Sequence, residues 1–138
     1  MHRRSWMTMA LLWIGGALTA RSGLTPAEGR SSDMIVLYCD LVVKSERERE
    51  MLEVLHHTFR PAAEKFEGYI DLKILKYDHR VQGAPLPADI NYRFQLTYES
   101  LALQQAWVNS PTHKKLWPLI AATLSNPDDF QVLVFRNA

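Results

Sequence analysis

The stretch from Asn91 to Leu124, NYRFQLTYESLALQQAWVNSPTHKKLWPLIAATL, decides the fold that the sequence predicts. It opens with apolar and polar side chains in alternation up to Tyr98, which is the two-residue period of a strand. Two helical segments follow, beginning at Ser100 and Ser110, because a serine hydroxyl can accept hydrogen bonds from the free amides of a helix start. The stretch therefore predicts one strand followed by a pair of helices.

Alternation elsewhere in the chain predicts three more strands. They are Ile35–Val43, Tyr69–Tyr77 and Phe130–Phe135. Residues 78–90 contain glycine and two prolines and predict a loop, long enough to serve as a mobile lid or rim. The strand Asn91–Tyr98 directs Tyr92, Phe94, Leu96 and Tyr98 to one side and the residues between them to the other.

A long helix is predicted between the first two strands. It begins at Ser45, and Glu48 three residues later completes a capping box. Pro61 has no amide hydrogen to donate and is expected to kink or interrupt this helix. Gly68 is expected to end it.

The resulting element order is β-α-β-β-α-β, which predicts an α+β, ferredoxin-like sandwich with one antiparallel sheet and helices on one face. The first strand is largely apolar on both faces, so an uncovered sheet face would expose an apolar patch. A second copy of the chain packing sheet against sheet would cover it. We therefore expect a symmetric homodimer.

Composition narrows the classes of function. The chain of 138 residues suits one folded domain, predicted here as residues 34–138, and its formal net charge of +1 gives no charge excess for nucleic acid or a membrane surface. The single cysteine, Cys39, excludes a disulfide within the chain and a metal cluster built from cysteines. Within a strand pattern, Cys39 is expected to be a small buried apolar residue.

The first 20 residues predict an export signal. A basic start is followed by a short apolar run with small residues near Ala20, and the run is too short to span a bilayer. Residues 21–33 predict a flexible linker. The expected location is therefore the periplasm or the exterior, with no membrane attachment after signal removal. The alternative is translation from Met34, which would leave the protein in the cytoplasm.

The string YRFQLTYESLALQQAWVNSPTHKKLW, residues 92–117, resembles the second half of antibiotic-biosynthesis-monooxygenase-type domains, the dimeric α+β barrels. The shared pattern is a strand, an acidic-Ser step at Glu99, a helix bearing Trp107, and Ser-x-x-His ending at His113. The resemblance extends from Met34 to about Phe135. It implies that fold, and membership among cofactor-independent quinone-forming monooxygenases, haem-degrading enzymes, small isomerase-like proteins or members without known activity.

The resemblance can be tested against the haem-degrading branch. That branch has an asparagine in the first strand, a tryptophan in the second helix and a histidine further on. Trp107 fits, but the asparagine position falls near Asp40 and the histidine position falls on Trp117. The missing imidazole ligand argues against haem degradation, and no cofactor is expected.

Trp107, His113 and Trp117 are the first candidate site residues. His113 is a candidate general base or hydrogen-bond donor to a substrate carbonyl, because its ordinary pKa suits neutral pH. Trp107 is a candidate catalytic residue that orients a planar aromatic substrate, and Trp117 is a candidate substrate-binding residue. The alternatives are that both tryptophans are core residues and that His113 is bonded to backbone or to a dimer partner.

A second group of candidates lies on the predicted strands. Asp40 is a candidate acid or base which, if buried, needs a partner such as Arg93 or a raised pKa. Asn91, Tyr92 and Arg93 are candidate substrate-binding residues, since one of them could hold an oxyanion; the alternative is sheet or dimer contact. The histidines lack the spacing of metal ligands, so no metal site is expected.

The leading hypothesis is a small cofactor-independent oxygenase acting on an aromatic or quinone-like molecule. One alternative is a non-catalytic dimeric module that binds a small apolar ligand or only assembles. A weaker alternative is a haem-handling protein that uses a different ligand. An oxygenase needs a closed pocket containing His113 and Trp107, whereas an assembly module would have that space filled by side chains.

Overall fold

The computed structural model describes residues 33–87 and 89–138. The export signal predicted for residues 1–20 lies outside these residues, as does the predicted linker 21–33 apart from Asp33. Both remain predictions. Within the described part of the chain, no helix is long and apolar enough to cross a bilayer.

Four strands form one antiparallel sheet. They are β1 (Ile35–Leu41), β2 (Tyr69–Lys76), β3 (Tyr92–Tyr98) and β4 (Gln131–Arg136). Their spatial order is β2-β3-β1-β4, and β1 pairs with both β3 and β4. The two crossovers carry helices, so the predicted α+β, ferredoxin-like βαββαβ fold is confirmed.

Helical segments fill the two crossovers. The first crossover has a 3₁₀ turn (Ser45–Arg47), α1 (Glu48–Val54), a π-helical turn (Leu55–Phe59) and α2 (Arg60–Ala63); the second has α3 (Leu101–Val108) and α4 (Pro111–Ala121). The predicted serine caps are confirmed in the second crossover. Ser100 Oγ accepts from the Leu103 amide at 3.2 Å, and Ser110 Oγ accepts from the His113 amide at 3.1 Å.

The capping box predicted for the first helix is wrong. Lys44, in an extended conformation, holds the cap position of the 3₁₀ turn, and no side chain caps either that turn or α1. The Glu48 carboxylate instead accepts from the Tyr92 hydroxyl and pairs with Lys76 Nζ at 2.6 Å. A buried phenol needs a partner more than a solvated amide does, so the long-range bond prevails over the local one.

Pro61 is the second residue of α2 and lies two residues after Phe59, where the π-helical turn ends. Phe59 and Arg60 keep right-handed helical backbone angles through this region, so the chain direction is preserved. The interruption predicted at Pro61 thus takes the form of a widened turn just before it, a known consequence of a missing donor in a helical ladder.

Gly68 closes the first crossover, but α2 ends at Ala63, five residues earlier, so the glycine does not end the helix as predicted. Its φ is +92°, a conformation that side chains with a Cβ rarely adopt. An added Cβ would also lie 2.7 Å from Leu103. The Gly68 carbonyl accepts from the Glu99 amide at 2.8 Å, so the step also ties β2 to the start of the second crossover.

The helices cover one face of the sheet. Side chains from β1 and β3 that point to this face are buried: Ile35, Leu37, Cys39, Leu41, Tyr92, Phe94, Leu96 and Tyr98. The alternating residues lie on the opposite face, which we call the open face. On this face, each β1 residue has one partner on β3 and one on β4. The resulting cross-strand rows are Val36 with Thr97 and Phe135, Tyr38 with Gln95 and Leu133, and Asp40 with Arg93 and Gln131.

Candidate functional site

A partly enclosed pocket lies between the covered face of the sheet and the helices α3 and α4. The cavity volume is about 50 Å³, and roughly 10–15 Å³ is enough for one water molecule. Its lining comes from the sheet, the π-helical turn and the second crossover: Leu37, Cys39, Phe59, Phe94, Leu96, Gln104, Gln105, Trp107, Val108, Asn109, His113, Trp117, Phe130 and Val132.

Aromatic rings surround the imidazole of His113 in this pocket. The Trp117 ring stacks on it at 5.9 Å between centroids with 9° between planes, and Trp107 meets it edge-on at 5.2 Å. Phe59 contacts the imidazole at 5.7 Å and both indoles at 5.5 and 6.0 Å. The structure thus brings together Trp107, His113 and Trp117, the first group of candidates.

Local chain geometry fixes these three residues. The Ser110 hydroxyl donates to the Trp107 carbonyl at 2.7 Å and accepts from the His113 amide at 3.1 Å. Pro111 begins α4, where a missing amide hydrogen costs nothing. His113 and Trp117 are four residues apart and therefore share one face of α4.

His113 is held in its neutral form. The residue is 5% exposed, and none of the described residues that line the pocket carries a charged side chain. Burial lowers the pKa of His113 from 6.5 to about 4, because an apolar surrounding disfavours the imidazolium. At neutral pH the ring therefore has one N–H donor and one acceptor nitrogen.

Two glutamines in the pocket wall were missed by the sequence analysis. Gln104 and Gln105 are 2% and 3% exposed. Gln104 Oε1 and both terminal atoms of Gln105 are buried without a hydrogen-bond partner among the described residues. The available signal was spacing, since Gln104 stands three residues before Trp107 and so shares its helix face.

Asp40 and Arg93 pair on the open face, away from the pocket. Arg93 Nε and Nη2 donate to the two carboxylate oxygens at 2.6 and 3.0 Å, which confirms the predicted partner of the buried Asp40. The hydrogen bond that Arg93 donates to Asp40 raises the pKa of Arg93, whose guanidinium also lies 5.1 Å from the Tyr38 ring centre. Strand alternation is the cause of the separation, because Cys39 faces the pocket and Asp40 faces the other way.

Asn91 and Tyr92 also lie outside the pocket lining. The Asn91 amide accepts from the Val43 N–H at 2.8 Å and donates to the Val43 carbonyl at 2.9 Å, so it holds the end of β1. Burial raises the pKa of Tyr92 strongly, and the bond to Glu48 raises it further. Both side chains therefore make hydrogen bonds within the fold and do not meet the other candidate residues in the pocket.

The described residues of the site fit neither a metal ion nor a haem. Among residues 33–87 and 89–138, no three His, Cys, Asp or Glu side chains come close enough to hold a metal ion. The pocket does not fit a haem: its volume is small, and an indole stacks on the only histidine in its lining. Burial raises the pKa of the Cys39 thiol to about 12, with a further contribution from Asp40, so this pocket thiol stays protonated.

Comparison with known proteins places the fold. No family model matches the chain, and no curated protein matches it in sequence. Solved structures do match: a protein from Caulobacter crescentus provisionally assigned as an antibiotic biosynthesis monooxygenase has 11% identity and a TM-score of 0.62, over 80% of this chain and 95% of that one. A protein from Bordetella bronchiseptica with the same provisional assignment has 15% identity and a TM-score of 0.60, over 77% and 98%.

A third similar structure is a dimeric ferredoxin-like protein of unknown function from a Jannaschia species. It shares 19% identity with this chain at a TM-score of 0.60, over 76% of this chain and 98% of that one. At such identities the likeness establishes the fold alone. The chain therefore has the fold of antibiotic-biosynthesis-monooxygenase-type domains, in agreement with the resemblance drawn from the sequence.

Proposed function

We propose that this protein is a small oxygenase that binds an uncharged planar aromatic molecule and oxidises it with O₂ without a cofactor. The observation that carries the proposal is the aromatic pocket, in which Trp107, Trp117 and Phe59 surround a buried neutral His113. Flat apolar walls favour a flat apolar ligand. The pocket volume favours one or two rings.

The proposed chemistry balances without a bound redox group. A phenol that binds in its neutral form and then releases its hydroxyl proton to solvent becomes electron-rich enough to pass an electron to O₂. The resulting peroxide, formed at the para carbon, loses water and leaves a quinone. Overall, a phenol and O₂ give a quinone and H₂O, with one oxygen atom in each product. The protein supplies a dry site and orientation, which are the contributions expected of such a pocket.

We assign His113 the role of hydrogen-bonding partner to a substrate oxygen. A pKa of about 4 makes the imidazole a poor base for a phenol, whose pKa is near 10. Neutral imidazole can still donate to a carbonyl or accept from a hydroxyl. The rate should therefore rise with pH according to the substrate's own ionisation.

The oxygenase proposal is tested by oxygen uptake with one- and two-ring phenols that carry hydrogen at the para carbon, using ¹⁸O₂. We expect one labelled oxygen in the quinone product. His113→Ala should lower the rate about tenfold or more, as loss of one positioned hydrogen bond does. His113→Asn should retain part of it, because the carboxamide still donates and accepts. His57→Ala, an exposed position on the π-helical turn, is the control.

Two results would contradict parts of this proposal. Equal inertness of wild type and His113→Ala, with ligand still bound, would favour the binding module over the enzyme. A pH–rate midpoint that stays fixed when substrates of different pKa are compared would restore the general-base role of His113.

We further propose that the protein is a homodimer formed through the open face. Val36, Tyr38 and Leu133 are half-buried there, and Phe135 is 53% exposed and packs edge-on against Tyr38 at 5.5 Å. A face of this kind on a sheet whose other side is covered by helices favours a second sheet as its partner. The dimeric description of the Jannaschia protein is consistent with the same arrangement.

A further inference from the structure

Four buried side-chain atoms among the described residues lack a hydrogen-bond partner, and three of them belong to the two glutamines on α3; the fourth, the Tyr98 hydroxyl, lies outside the pocket lining. Gln104 Oε1, Gln105 Oε1 and Gln105 Nε2 are buried and have no hydrogen-bond partner among the described residues. Both side chains line the pocket. The backbone carbonyls of Gln105 and Trp107 already accept hydrogen bonds from the Asn109 side-chain amide and the Ser110 hydroxyl.

Burying a polar atom without a partner lowers stability, so such atoms occur mostly where water or a ligand completes their bonds. Here both residues belong to the pocket wall, and because the three atoms are almost fully enclosed, a ligand would reach them through rotation of the carboxamides. The donor and acceptor of Gln105 sit at the end of one carboxamide, which matches a ligand group that itself both accepts and donates. A ligand that is charged before it binds is disfavoured, because the pocket has no charged side chain among the described residues to offset its lost hydration.

We propose that Gln104 and Gln105 determine specificity by selecting an uncharged planar ligand whose hydrogen-bond donor and acceptor are adjacent. A primary aromatic amide has this pattern, and so does a phenol hydroxyl beside a carbonyl. This inference rests on the proposed function, because the aromatic walls hold the ring while the glutamines choose its substituents. It adds a substrate class that the fold alone does not define.

The test uses three one-ring probes of nearly equal shape. Benzamide has a donor and an acceptor, acetophenone has an acceptor only, and benzoate is an anion. Calorimetric titration of the full chain, supported by tryptophan fluorescence, should show benzamide binding about tenfold more tightly than acetophenone, the difference that one additional net hydrogen bond gives. Benzoate should bind more weakly than either.

Variants then assign the preference to its residues. In Gln105→Leu and Gln104→Leu, the affinity for benzamide should fall to that for acetophenone, while acetophenone binding is kept. The midpoint of thermal unfolding should stay equal or rise, because an unsatisfied buried group has been removed. Gln105→Met, which keeps the side-chain length, serves if leucine does not fold. Gln82→Leu, an exposed loop position, is the matched control.

Three outcomes would overturn the inference. They are equal binding of benzamide and acetophenone by the wild type, an unchanged preference in both leucine variants, and no probe binding at all. A drop in unfolding midpoint with unchanged preference would make the glutamines structural residues satisfied by water. Oxygen uptake by the same variants separates the two proposals: if turnover continues with unchanged substrate preference, the oxygenase stands and the specificity role fails.

Discussion

Two buried polar groups on opposite sides of the sheet have opposite surroundings. On the open face, the Asp40 carboxylate is 3% exposed but receives two hydrogen bonds from Arg93, so its charge is fully paired. On the covered face, the carboxamide of Gln105 is equally buried and has no partner among the described residues. The difference separates a polar group whose bonds the fold completes from one whose bonds, in our proposal, a ligand completes. For this reason we place the candidate site in the neutral pocket and not at the pair of Asp40 and Arg93.

The largest expected effect follows from breaking the pair on the open face. Arg93→Leu should lower the free energy of unfolding by about 3–5 kcal/mol, because it leaves a buried carboxylate with only a long contact, 3.5 Å from Gln131 Nε2. Urea unfolding followed by tryptophan fluorescence measures it. The double variant with Asp40→Asn should recover part of the loss. If Arg93→Leu were nearly neutral, the open face would be supporting Asp40 in some other way, and the contrast between the faces would weaken.

The next largest effect concerns the covered face and depends on pH. The pKa of His113 is about 4 when folded and 6.5 as the ordinary value, so between these limits the unfolded chain binds a proton that the folded chain does not. Stability should therefore be unaffected above pH 6.5 and fall as the pH drops toward 4, by roughly 3 kcal/mol in total.

His113→Phe provides the comparison for this pH effect. Phenylalanine keeps a ring in the aromatic surround but cannot titrate, so the variant should lose less stability than wild type between pH 6.5 and 4. Equilibrium unfolding at a series of pH values gives both curves. Parallel curves for the two proteins would mean that His113 is not the group responsible.

The smallest expected effect concerns association through the open face. Phe135→Ser should raise the dimer dissociation constant about tenfold or more, since exposed aromatic anchors carry much of such contacts. Monomer stability should change little, because the ring is more than half exposed. Analytical ultracentrifugation measures the association. Leu119→Ser, an exposed apolar position on α4, is the control; a wild-type protein that stays monomeric at high concentration would remove the dimer from the proposal.

The alternation of apolar and polar residues, together with the serine and glycine residues at element ends, was sufficient to predict the fold. Alternation located all four strands, Ser100 and Ser110 located the starts of α3 and α4, and Gly68 located the end of the first crossover. The capping box failed because the alternative partners of Glu48, Tyr92 and Lys76, are distant in sequence. Such long-range competition cannot be read from local spacing.

The candidate site was predictable in part. The group of Trp107, His113 and Trp117 was visible because their spacing places them on neighbouring helix faces. The placement of Asp40 and Arg93 opposite the pocket follows from strand parity once the covered face is known. Gln104 and Gln105 were missed because glutamine in a helix usually faces solvent, and only the three-dimensional packing shows these two side chains to be buried.

The hydroxyl of Ser110 has a consequence for how this pocket can vary. One oxygen atom bonds to the last turn of α3 and to the first turn of α4, so it links the backbone that bears the indole at 107 to the backbone that bears the imidazole at 113. The spacing of these two rings is thus independent of the loops around the sheet. New ligand preferences could arise by exchanging side chains at neighbouring wall positions, with the frame that carries the two rings left in place.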